Sequence, residues 1–327
     1  MEKGPKIAII VESVVIIALV LLIFFYYNPH HQQVKNGLLS PRVYSGLIKP
    51  QSYLILNLKP LQKEMQNYFN YESINASLYV ANLRDGVSFG INSNKEFDPV
   101  SLNKLPIAII VLRKVESGNL SLETKIPIKK EYLSDKSGEL YKRNVTELTV
   151  RELIHYMLSE SDNTATYALL SMVPFDELQK LAQYLNYYNP SLDSEYPSPN
   201  NNVFMITAKS TYNIFMSLYL STVLDAEHSE LILSDLINTS FNINKVARLP
   251  NDVIVAQKYG VYYDSNNKNK ELFHSCGIMY VQETRFFYCV MTEDLSLSRG
   301  EQITGEIVSR IYNYIINTKS YLDNNSI

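Results

Sequence analysis

Apolar and polar positions divide the chain into stretches of distinct character. Residues 7–27 are almost continuously apolar, interrupted only by Glu12 and Ser13, and about twenty such residues span a bilayer as a helix. Lys3 and Lys6 precede the stretch and Phe24, Phe25, Tyr26 and Tyr27 close it, which predicts a cytoplasmic stub over 1–6 and an aromatic belt at the far interface. No small-x-small cleavage pattern follows Tyr27, so the stretch reads as an uncleaved signal anchor. Residues 28–57 are largely polar and read as a linker, with His30 and His31 as solvated side chains.

A folded pattern begins at residue 58. Leu61, Met65 and Phe69 recur at helical spacing over 58–69. Residues 76–83 alternate as a strand, Asp85-Gly86 signals a hairpin turn, and 87–92 answer as a second strand. The apolar run 107–112 predicts a helix that begins near Ser101 and stops before Gly118. Residues 127–148 show no clean period and read as a long ordered loop. Thr149 followed by Glu152 is a capping-box signature for a helix running to about residue 159. Residues 159–166 then form a polar break, with Asp162 or Asn163 as the cap of the next helix. Near the end, 253–261, 273–281 and 286–292 read as strands, and 301–319 as a closing helix with Ile303, Ile307, Ile311, Ile315 and Ile316 on one stripe.

Composition adds bounds. The 327 residues are 46% hydrophobic and 19% charged, the usage of a globular chain with a good core. A net charge of −3 gives no reason to expect a nucleic-acid partner. The two cysteines, Cys276 and Cys289, fall on the two arms of the last predicted hairpin. A two-residue turn at Gln282-Glu283 sets them opposite each other, to bridge in an oxidising exterior. A one-residue slip puts them on opposite faces as free thiols, and the pattern leaves both arrangements open. His274 is expected to pack within the sheet.

Candidate chemistry lies in three places. Ser101 and Lys104, three residues apart at a helix start, share one face of its first turn. A serine attacks only when a neighbour takes its proton, and a buried lysine with a lowered pKa can do so. Ser161 and Asn163, separated by one residue in the polar break, can both point into one cleft. Lys258 on the strand 253–261 is either a solvated edge lysine or a site cation, and Gly260 beside it allows close backbone approach.

In that order, Ser101-x-x-Lys104 followed by Leu105-Pro106, then Ser161-Asp162-Asn163, then Lys258-x-Gly260 resemble the three signatures of penicillin-recognising serine enzymes. The flanking stretches 115–122 and 157–165 resemble class A β-lactamases in particular, and the likeness covers roughly residues 58–320. The resemblance implies an α+β, β-lactamase/transpeptidase-like fold. Its five-stranded antiparallel sheet would come from 58–100 and 248–320 and be flanked by helices, with an all-α part over 101–247 and the site in the cleft between.

It implies Ser101 as the acylated nucleophile and Lys104 as its base. Ser161 would pass the proton to the leaving nitrogen, Asn163 would bind a substrate amide and Lys258 a carboxylate. The amides of Ser101 and Val261 would form the oxyanion hole. No metal or cofactor is required.

Two positions depart from the family pattern. Tyr259 stands where a Thr or Ser is usual, and residues 189–202 contain no Glu-x-x-Leu-Asn for deacylation, leaving Glu195 or Asp193 as the substitute acid. Together with the membrane anchor read from residues 7–27, which sets the rest of the chain outside the cytoplasm, the resemblance leads to the expectation of a monomeric serine hydrolase that opens β-lactam rings. The alternatives are a D,D-peptidase or penicillin-binding protein acting on peptidoglycan stem peptides with slow deacylation, and a noncatalytic binding domain.

Overall fold

The five-stranded antiparallel sheet at the centre of the fold joins the two ends of the folded region. In the computed structural model, residues 37–40, 43, 56–187, 189–191, 203–263 and 271–325 are described. The segment 7–27, most of 28–57, and Asp193 and Glu195 lie outside them. No helix among the described residues is long and apolar enough to cross a membrane.

Helix α1 (Lys59–Glu72) starts with Pro60 in its first turn, where the missing N–H costs nothing. Strand β1 (Ala76–Asn82) turns back into β2 (Ser88–Ile91) through Gly86, whose φ of 78° is the left-handed value such a turn needs. At the other end of the chain lie β8 (Ile254–Tyr262), β9 (Leu272–Val281), β10 (Thr284–Glu293) and helix α9 (Leu297–Asn325). The sheet order is β2-β1-β10-β9-β8. The two-residue turn at Gln282-Glu283 sets Cys276 directly opposite Cys289, and the two are disulfide-bonded.

The sheet is buried on both faces, which its alternation divides between two cores. Cys276, Ile278, Phe287 and Met291 face the helical part, whereas Met279, Val281, Phe286, Tyr288 and Val290 pack on Leu61, Met65, Ile303, Ile307 and Ile311 of the terminal helices.

Between β2 and β8 the chain builds the helical part. It comprises α2 (Lys104–Glu116), α3 (Val150–Ser159), α4 (Asn163–Leu170), α5 (Phe175–Tyr184), α6 (Ala208–Tyr219), α7 (Ala226–Ile237) and α8 (Ile243–Val246). Thr149 and Glu152 form the expected capping box, and Asp162 is the residue that caps α4.

The all-α expectation needs correction. The pair β4 (Lys125–Pro127) and β5 (Glu147–Thr149) lies in this part, and β3 (Glu96–Phe97), β6 (Asn189–Ser191) and β7 (Val203–Thr207) form a second small sheet. Segments of two to five residues are too short to display an alternation. The linker expectation also fails locally: Leu38 and Leu39 are buried in the core of the helical part. The Ser40 amide donates to the Tyr219 carbonyl and the Tyr280 hydroxyl to that of Leu38, both at 2.7 Å. Two isolated leucines have no periodicity to betray them.

Candidate active site

The expected helix start at Ser101 is instead a 3-10 turn over Val100–Asn103, and α2 opens only at Lys104. The cause lies just upstream. The Val100 amide donates to Asp98 Oδ1 at 2.8 Å, and Val100 sits at φ 41°, a left-handed value that is rare for a β-branched residue. Such a conformation costs on the order of 1–3 kcal/mol and persists where the surroundings over-determine it.

Part of that determination comes from Gly260. A Cβ there would stand 2.4 Å from Val100 Cγ2 and 3.0 Å from the Ser101 amide nitrogen. The glycine therefore makes room for the serine-bearing turn itself.

Lys104 is buried, and its Nζ donates to the Ser161 carbonyl at 2.5 Å, to Asn163 Oδ1 at 2.8 Å and to Ser161 Oγ at 3.1 Å. Burial pushes this amine down to about 7, against the opposing charge of Asp162. Lys258 is fully buried, not a solvated edge cation. Its Nζ donates to Ser161 Oγ and to its neighbour's carbonyl, Tyr259 O, both at 3.0 Å. Burial and the charge of Lys104 hold it well below the ordinary lysine range.

Ser161 carries φ 55°, a second strained residue, and so presents both its carbonyl and its hydroxyl to Lys104. The loop 128–146 fixes this segment from outside. Asn163 N donates to the Ser137 carbonyl, and the buried Asp162 carboxylate accepts from Leu140 N and Ala165 N, each at 2.9 Å.

Tyr259 pairs in register with Ser275, on the opposite sheet face from Lys258 and Gly260. Its ring packs on Phe241 at 5.7 Å, lies 4.5 Å from Lys258 Nζ, and directs its hydroxyl to Ser240 Oγ at 2.7 Å. Val261 is exposed next to Gly260.

The structure thus brings Ser101, Lys104, Ser161, Asn163, Lys258, Tyr259, Gly260 and Val261 to one end of β8, and Glu195 lies outside the described residues. Sequence reasoning missed Ser240 and Phe241, which sit in a short loop without any pattern. It also missed Tyr187, fully buried, whose hydroxyl donates to the Leu102 carbonyl at 3.3 Å.

Among the described residues, one group places three possible ligand atoms within 4.8 Å of one another, at Glu116, Asp225 and His228. It is accounted for by the cap of α7, since Asp225 Oδ1 accepts from His228 N and Glu116 Oε1 accepts from Asp225 N, both at 2.8 Å.

A strained serine turn beside two buried lysines is the arrangement that a serine nucleophile with an amine base needs. The chain belongs to the beta-lactamase enzyme family, whose family model matches residues 60–315. It is 25% identical over 272 residues to Beta-lactamase VEB-1 of Pseudomonas aeruginosa, covering 79% of this chain and 91% of that one. With a Beta-lactamase of Phocaeicola vulgatus the identity is 22% over 263 residues, covering 73% and 79%. Among solved structures, TLA-1 extended spectrum beta-lactamase superposes with a TM-score of 0.71 at 20% identity, covering 80% of this chain and all of that one. PBP-A, as an acyl-enzyme complex with penicillin G, superposes with a TM-score of 0.69 at 18% identity, covering 80% and 97%. At these identities the structural likeness speaks to the fold.

Proposed function

We propose that the protein hydrolyses β-lactams through an acyl-enzyme on Ser101. The observation that carries this reading is the convergence of two buried lysines on Ser161 Oγ beside the turn that holds Ser101. Neutral Lys104 takes the Ser101 proton as Oγ attacks the lactam carbonyl. The oxyanion of the tetrahedral intermediate lies against the amides of Ser101 and Val261, each such donor being worth about 3 kcal/mol. Ser161 then delivers a proton to the lactam nitrogen as the ring C–N bond breaks, and Lys104 replaces it with the proton taken from Ser101. The carboxylate of Glu195 or Asp193 acts as general base on a water that attacks the acyl carbonyl, and the proton passes to Ser101 Oγ as the ester bond breaks. Asn163 and Lys258 hold the amide and carboxylate of the substrate.

A second reading, a penicillin-binding protein that acts on peptidoglycan stem peptides, is favoured by the missing Glu-x-x-Leu-Asn in 189–202. Intact-protein mass spectrometry with benzylpenicillin separates the two. A transient adduct on Ser101 with loss of drug supports hydrolysis, a persistent adduct supports the second reading, and no adduct with no loss of drug removes both.

Residues 7–27 serve in this proposal as a membrane anchor, with 58–320 as a monomeric catalytic domain outside the cytoplasm. The Cys276–Cys289 disulfide supports that placement, since such bonds persist in oxidising compartments.

A further inference from the structure

His274 takes no part in the steps above, yet it is a fully buried imidazole opposite Gly260 on the neighbouring strand. Its Nε2 lies 3.0 Å from the Asp98 carbonyl oxygen. A carbonyl only accepts, so Nε2 carries the proton and the ring is the Nε2–H tautomer.

Nδ1 makes no hydrogen bond among the described residues. The Phe273 carbonyl, which favours a charge on the ring, is engaged by the Thr292 hydroxyl at 2.9 Å. Burial prevails and pushes the imidazole down to about 4. An unpaired buried nitrogen is destabilising, a cost that an apolar residue at 274 would avoid. What histidine contributes here is the donor.

That donor acts on the residue that shapes the serine turn. Asp98 gives its carbonyl to His274 and its carboxylate to the Val100 amide, and Val100 in turn is seated at φ 41° against Gly260 with Ser101 next in the chain. Two adjacent strands therefore grip the turn. Gly260 of β8 leaves the space, and His274 of β9 supplies the tether. We infer that His274 is a positioning residue for the nucleophile, holding the Asp98–Val100 turn so that Ser101 keeps its place against β8. This rests on the reading of Ser101 as the acylated residue.

The test compares His274→Leu, which fills the space without a donor, with His274→Gln, whose amide can donate to the same carbonyl. Stopped-flow acylation by a chromogenic cephalosporin is read beside hydrogen exchange at the Val100 and Ser101 amides. In His274→Leu the limiting acylation rate is expected to fall about 10- to 100-fold, as small misplacements of reacting groups do. The half-saturating concentration should change little, and the two amides should exchange faster. His274→Gln is expected to recover most of the rate and the protection.

Acylation of His274→Leu at the wild-type rate, or equal losses in both variants, overturns the inference. If His274→Leu does not fold, ¹⁵N NMR of the wild-type histidines decides: an Nε2–H ring with bare Nδ1 at neutral pH supports it, and a protonated Nδ1 overturns it. If the wild type itself is never acylated, the proposed function fails, while the exchange contrast still tests the tether.

Discussion

Lys104 and Lys258 converge on one oxygen, their Nζ atoms standing 3.1 and 3.0 Å from Ser161 Oγ. Two buried ammonium groups on a shared acceptor repel each other, and both amines are held below the ordinary lysine value. Lys104 accepts a proton only when neutral, and its pKa is pushed down to about 7. Its useful form therefore grows as pH rises through that value. The acylation rate is expected to rise with pH across neutrality and then level off, and a flat profile through neutrality would contradict Lys104 as the base.

Removing the shared oxygen should disable the relay while keeping the fold. Ser161 sits at φ 55°, which glycine adopts without strain, so Ser161→Gly isolates the hydroxyl. Acylation is expected to fall about 10²- to 10⁴-fold, the range of a lost proton-transfer group. The melting temperature should change little. Retained acylation would show that the proton reaches the leaving nitrogen by another route.

Gly260→Ala places a methyl where Val100 and the Ser101 amide already stand. The turn must move, and with it one donor of the oxyanion hole, so acylation should fall about 10²- to 10³-fold. A crystal structure of the variant should show Ser101 displaced. Wild-type kinetics would mean that the turn yields without consequence.

Asp162→Ala removes the acceptor for Leu140 N and Ala165 N at a buried position. Stranding these two donors, one of which is the cap of α4, should destabilise the protein by about 2–4 kcal/mol in urea unfolding. Asp162 also favours the charged form of Lys104. Without it the pH midpoint of acylation in the folded variant should move down, and a midpoint that moves up would refute this electrostatic account.

The disulfide closes a span of 13 residues, for which chain entropy predicts about 3 kcal/mol. Cys276→Ala with Cys289→Ala should lose stability of that order, measured against the wild type under non-reducing conditions.

Long periodic elements were legible in the residues alone. The alternation over 76–83 and the turn residues Asp85-Gly86 recover β1 and β2, and Thr149 with Glu152 marks the start of α3 to the residue. The family resemblance carried by Ser101, Lys104, Ser161, Asn163 and Lys258 also named the cluster. These features are local: a period, a cap or a motif is complete within a dozen residues. The short strands β3 to β7 and the burial of Leu38 and Leu39 left no such trace, because segments of two to five residues carry no period.

By itself, then, the sequence determined which side chains are available and which helices and strands present them. Only the tertiary structure decided that Lys258 is buried on Ser161, that Gly260 makes room for Val100, and that His274 reaches the Asp98 carbonyl. Each of these joins residues from 97 to 176 positions apart or depends on strand register. Burial, a lowered pKa and a strained φ are properties of the assembled environment and have no counterpart in the chain's local pattern.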